Sequence, residues 1–155
     1  FRTRDVLRRD RDGFYFFVER RGANYRLQGE NVSVALVERE LDALPGVHGA
    51  AVTGVEIPGY DGRVGLAVLA AEPGFDVTSL DALATRLPRT SLPRFVRLVP
   101  ELSRTASLKL KRRAWADEGV DPERVVGELW TLVDGRYRRL EAETYRDIGS
   151  GKLRL

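Results

Sequence analysis

The sequence has no cysteine, no methionine and a single histidine among its 155 residues. Without cysteine there is no disulfide and no thiolate metal site, and His48 alone cannot assemble a zinc centre. His48 reads as a structural residue at a strand start, and the chain is expected to hold no metal ion by itself. No apolar run approaches the roughly twenty residues that a membrane-crossing helix requires, so a soluble chain is expected. A chain that opens on Phe1 and contains no methionine is expected to be a fragment of something longer.

Charge of one sign is also scarce. Lysine and arginine number 26 against 23 acids, a net charge of only +3, although the isoelectric point is near 9.5. The basic clusters at Arg8-Arg9, Arg20-Arg21 and residues 109–113 alternate with acids, the pattern of solvated faces and not of a stripe tracking phosphates. With no signature of a nucleic-acid fold, nucleic acid is not an expected partner. What is present, 43% hydrophobic and 32% charged residues, suits one domain with a real core and a short appendage at either end.

Residues 6–20 read as a β-hairpin about an Asp12-Gly13 turn. A short strand over 24–28 runs into Gly29, and Ser33 is a candidate N-cap for an amphipathic helix reaching Leu44, with Leu36, Val37, Leu41 and Leu44 at helical spacing. Pro45-Gly46 ends it. Strands are expected over 47–57 and 64–71 with a turn over 58–62, then a short helix over 79–87 halted by Pro88. A strand over 95–99 and a helix over 111–118 closed by Gly119 follow. Asp134-Gly135 marks a second hairpin within 129–140, and residues 141–155 read as a tail. The fold class is α+β, a small mixed sheet flanked by helices with an N-terminal hairpin lead-in. No internal repeat or low-complexity segment is present.

Four stretches carry chemistry together. Phe1-Arg2-Thr3-Arg4-Asp5 opens the chain; Glu19-Arg20-Arg21-Gly22 leads into Asn24-Tyr25-Arg26-Leu27-Gln28-Gly29-Glu30-Asn31-Val32. Leu87-Pro88 and Leu92-Pro93-Arg94-Phe95 follow, and then Leu102-Ser103-Arg104-Thr105-Ala106-Ser107-Leu108-Lys109, succeeded by Leu110 and basic residues. In this order they resemble the adenylate-forming superfamily of acyl-CoA synthetases, luciferase and peptide-synthetase adenylation domains. The Gly29-Glu30-Asn31 loop and the stretch beyond Gly119, with Tyr145 near the end, look most like the fatty acid transport protein, or very-long-chain acyl-CoA synthetase, type.

The resemblance implies the C-terminal catalytic lid of an ATP-dependent fatty acyl-CoA ligase. It implies that Asp5 holds the ATP ribose hydroxyls, since two carboxylate oxygens can accept both protons. It gives Arg20 a ribose contact and makes Gly22 the hinge, where glycine absorbs a large backbone change with least steric cost. It puts Gly29, Glu30 and Asn31 beside the CoA channel and makes Lys109 the catalytic lysine, a mobile cation without guanidinium bulk. Residues 1–21 would end the large N-terminal domain, 22–120 form the lid and 121–155 a family-specific extension. Fatty acid, ATP and CoA are the implied substrates. Magnesium would accompany ATP, with its ligands mainly in the absent N-terminal domain, where the acyl tunnel also lies.

The implied location is cytoplasmic, with peripheral membrane association open to the full-length protein, and the fragment alone is expected to be inactive. Arg4, Ala23, Ser103 and Leu108 depart from the superfamily pattern. Leu108 matters most, because it stands where glycine lets the loop approach substrate. Two rival readings are an adenylation domain that loads a carrier protein and a noncatalytic interaction module derived from such a lid. Ser150-Gly151-Lys152 mimics a Ser-Gly-Lys motif, but Leu153 follows where a phosphate loop needs Ser or Thr.

Overall fold

Asp10 starts the first turn by gathering two backbone donors on one carboxylate oxygen, Asp12 N–H at 3.0 Å and Phe14 N–H at 2.9 Å. Gly13 completes the reversal at φ +93°. Strands β1 (Asp5–Arg9) and β2 (Tyr15–Arg20) therefore pair antiparallel, and they form a two-stranded sheet of their own. The computed structural model describes residues 5–20, 24–27, 29–60 and 62–155, and the side chains of these except residues 5, 6 and 17–20. The expected hinge residue, Gly22, lies outside the described residues.

Strand β3 (Tyr25–Leu27) turns back through Gly29, at φ +85°, into β4 (Glu30–Val32), so the single strand expected over 24–28 is half of a hairpin. Helix α1 (Val34–Asp42) begins where two side chains satisfy its free amides: Ser33 Oγ accepts from Leu36 N–H at 3.4 Å and Asn24 Oδ1 from Val34 N–H at 3.2 Å. It buries Val34, Val37 and Leu41. It ends at Asp42, two residues before Leu44, as the chain turns at Gly46 with φ +80°.

The main sheet runs β5 (Val47–Val55), β6 (Val64–Ala71), β7 (Phe95–Val99), β8 (Glu128–Val133), β9 (Arg136–Arg139), in that spatial order. All neighbours are antiparallel except β6 and β7, which are parallel. Residues 64–70 of β6 are all buried, which accounts for their unbroken apolar run. The short helix expected over 79–87 lies in the β6–β7 crossover as a 3-10 helix over Val77–Thr85. Its buried residues Val77, Leu80 and Leu83 recur every three positions, the spacing that lines up in a 3-10 helix, and Asp76 caps it two residues earlier than expected.

Helix α2 (Arg112–Glu118) packs on β5, and α3 (Ala142–Gly149) occupies what the sequence offered only as tail. Ile148 of α3 is fully buried. The carbonyl of Gly149 lies 2.5 Å from where a Cβ on Gly59 would stand, and Leu155 N–H donates to Tyr60 Oη at 2.7 Å. Residues 121–155 thus share one hydrophobic core with the sheet. No helix among the described residues is long and apolar enough to cross a membrane.

The β3–β4 hairpin is seated by one side chain. Gly54 and Gly65 face each other across β5 and β6, and the missing side chains leave a slot that Tyr25 fills. A Cβ on Gly54 would come within 2.8 Å of Tyr25 Cβ, and one on Gly65 within 2.1 Å of Tyr25 Oη. Burial pushes the Tyr25 hydroxyl up to about 12, against a smaller opposing pull from Arg94. Gly65→Ala is therefore expected to lower the unfolding free energy by about 2 kcal/mol, the scale of an overpacked core. In a Tyr25→Phe background the loss should shrink, because the nearest remaining ring atom is 3.0 Å away. Urea denaturation of the four proteins measures both; additive losses would mean the ring does not occupy the slot.

Candidate functional site

Lys109 stands on a loop that ties itself together. Thr105 N–H donates to Lys109 O at 2.8 Å, Lys109 N–H to Thr105 Oγ1 at 3.2 Å, and Leu108 N–H to Thr105 O at 2.9 Å. Arg104 and Leu110 form a bridge beneath, Lys111 N–H reaches Ser103 O at 3.1 Å, and an Arg104 guanidinium N–H donates to Leu108 O at 3.0 Å. With its backbone committed, the loop exposes the side chains of residues 103–109. The Lys109 ammonium has no hydrogen bond or ion pair among the described residues. Lys152, the competing lysine, is also exposed but pairs with Asp147 Oδ1 at 3.4 Å.

The other expected site residues fall into two groups. Asp5 and Arg20 are direct partners in the β1–β2 register, so two residues expected to meet the same ribose lie opposite each other at the open end of one hairpin. Their side chains are outside the described set. Gly29, Glu30 and Asn31 are exposed at the turn and return strand of the β3–β4 hairpin. No hydrogen bond or ion pair joins either group to Lys109 among the described residues. Nor does any cluster of three or more acids or histidines there suit a metal ion.

Residues 36–109 match the family described as AMP-binding enzyme C-terminal domain. That match runs from within α1 to the Lys109 loop. All of the chain aligns with human long-chain fatty acid transport protein 3, at 34% identity over 160 residues, and it spans 23% of that protein's length. Mycobacterium tuberculosis fatty acyl CoA synthetase shares its fold with a TM-score of 0.65 and 26% identity, over 76% of this chain and 24% of that one. Bacillus subtilis o-succinylbenzoate CoA synthetase, solved with its acyl-adenylate intermediate, gives 0.60 and 32%, over 72% and 23%. The chain thus spans about a quarter of the relatives it matches.

One arrangement on the elements of this matched stretch had no sequence signal. Arg112, at the start of α2, clasps Glu38 of α1 through Nε to Oε1 at 3.1 Å and through Nη2 to Oε1 at 2.7 Å and Oε2 at 2.9 Å. The two residues are 74 positions apart, and neither local periodicity nor spacing links them. Only the unexplained acid on a helix that packs against a sheet edge could have pointed to it.

Leu108 takes φ +60°, the left-handed region that glycine adopts freely, and its side chain is 74% exposed. A non-glycine residue there costs about 1–2 kcal/mol, more than the extra unfolded-chain freedom of glycine, about 0.5–1 kcal/mol. Leu108→Gly should therefore raise stability by up to about 1 kcal/mol, with little buried surface to lose. Leu108→Val, whose branched Cβ suits the region worse, should lower it. Chemical denaturation checks both; a destabilising glycine would contradict the backbone geometry.

Proposed function

We propose that this chain is the C-terminal catalytic lid of an ATP-dependent long- or very-long-chain fatty acid–CoA ligase. The observation that carries the reading is Lys109, an exposed ammonium without a partner among the described residues, held on a self-tied loop in an AMP-binding enzyme C-terminal domain. End-to-end similarity to long-chain fatty acid transport proteins supports the acyl substrate. The reaction has two halves. The fatty acid carboxylate displaces pyrophosphate from ATP to give acyl-adenylate, and the CoA sulfur then displaces AMP.

In the first half Lys109 stabilises charge as it moves between carboxylate and phosphate, and its unpaired state keeps it available for that purpose. Asp5 and Arg20 face the ribose from the β1–β2 hairpin. Rotation about Gly22 then withdraws Lys109 and brings Gly29, Glu30 and Asn31 to the CoA channel. We assign residues 1–21 to the large domain, 22–120 to the lid and 121–155 to an extension completing its sheet. The hairpin's separate sheet and the exposure of Leu7, Phe14 and Phe16, between 47% and 67%, support an apolar contact with that large domain. Magnesium would travel with ATP and take its ligands from outside this chain. Membrane contact by the whole enzyme, which would bring it to its acyl substrates, belongs to the same reading.

The test is made on the enzyme that carries this chain. Lys109→Ala should slow fatty-acid-dependent pyrophosphate exchange on the order of 10²-fold, the scale of losing one preorganised stabiliser of developing charge. Thioester formation from supplied acyl-adenylate should survive far better, and Lys152→Ala should leave both steps unchanged. Intact exchange in Lys109→Ala with loss in Lys152→Ala would move the role to the other lysine.

A further inference from the structure

The bonds within the Lys109 loop fix its shape, whereas its placement on the domain depends on its two ends. At one end Leu102 is buried, its Cδ1 3.1 Å from where a Cβ on Gly49 would stand. That contact is apolar and carries little direction. At the other end, three residues beyond Lys109, the Arg112 fork grips Glu38 with both carboxylate oxygens engaged. Glu38 is itself held, because its Oε1 accepts Val52 N–H of β5 at 2.7 Å. The carboxylate is only 16% exposed and the guanidinium 36%, so the pair is less open to water than the other ion pairs near the loop.

We propose that Glu38 and Arg112 are positioning residues for Lys109, a brace that sets where the loop stands relative to the sheet. This rests on the lid reading above. The ammonium must arrive within a fraction of an ångström of the reacting groups after a domain rotation, and a loop hung only on an apolar contact would deliver it loosely. The bidentate fork fixes both distance and angle, which a lysine at 112 could not do with its single rotatable ammonium. Arg113 is the contrast. Its side chain is 93% exposed and, among the described residues, reaches only Asp117 in its own helix, at 3.6 Å.

Arg112→Lys, Glu38→Gln and Arg113→Gln are made in the full enzyme, each with and without Lys109→Ala. Arg112→Lys and Glu38→Gln should each lower kcat for pyrophosphate exchange on the order of tenfold, with KM for ATP and fatty acid unchanged. Thioester formation from supplied acyl-adenylate should stay within about twofold, and Arg113→Gln should change nothing. In the Lys109→Ala background the brace variants should cost nothing further, because they act through that ammonium. Equal losses in both half-reactions, additive losses in the double variants, or no loss at all would each overturn the proposal. If Lys109→Ala slows exchange while both brace variants are silent, the brace falls and the lid reading stands; a silent Lys109→Ala takes down both.

Discussion

Strand β5 is an edge of the five-stranded sheet, and its outward amides need acceptors. Helix α1 supplies them. Glu38 takes Val52 N–H, and the carboxyl of Asp42, four residues on along the helix, lies under the pull of Ala50 N–H, two residues back along the strand. The match is one of lengths, because four helical residues rise about 6 Å and two strand residues about 6.6 Å. Burial pushes the Asp42 carboxyl up, and the Ala50 amide pulls partly against it. Glu38 answers the same cost with a counter-charge. Arg112 supplies it, which fixes the start of α2 and thereby one foot of the Lys109 loop. Closing a sheet edge and placing the Lys109 loop are thus a single arrangement.

The same economy governs residues 24–27. Asn24 caps α1 through Val34 N–H, and Tyr25 fills the Gly54–Gly65 slot. Arg63 N–H reaches Arg26 O at 3.2 Å, and Leu27 bridges to Gly62. Residues 24–27 are therefore each fastened to the body of the fold, to α1, to the β5–β6 pair or to the turn that leads into β6. If Gly22 is the pivot, the lid side of that pivot is anchored within two residues, and a rotation there carries the whole sheet with it.

Much of the architecture was legible because it rests on local rules. The Asp-Gly pairs at residues 12–13 and 134–135 marked both hairpins, the second with positive φ at Asp134 and Gly135 as its tight turn requires. The apolar run of β6 and the spacing of Val37 and Leu41 on α1 gave their elements directly. What escaped was too short to show a period or needed distant partners. Strand β4 is three residues long and exists through pairing with β3, and α3 is held by burial of Ile148 and the contact of Gly149 with Gly59. The crossover helix was legible as a helix but its 3-10 type and its start at Val77 were not, because Val77, Leu80 and Leu83 fit a period of three and also, loosely, an α-helix. At the candidate site the motifs single out Lys109 as an expectation, and the left-handed φ of Leu108 is one that the glycine expected there adopts freely. The pairing of Asp5 with Arg20 and the grip of Arg112 on Glu38 depend on the assembled fold.

In the proposed function this domain carries Lys109 into one half-reaction and out of the next. The direct measurement is the rate of amine labelling at Lys109 in the whole enzyme, read by peptide mass spectrometry, with Lys152 as internal reference. Labelling should be fast in the free enzyme, where the ammonium is exposed, and should fall when ATP and a non-reactive fatty acid analogue lock the adenylate-forming state. It should rise again when a CoA analogue is added to enzyme holding acyl-adenylate. Lys109 labelling that tracks Lys152 through all three states would contradict the account.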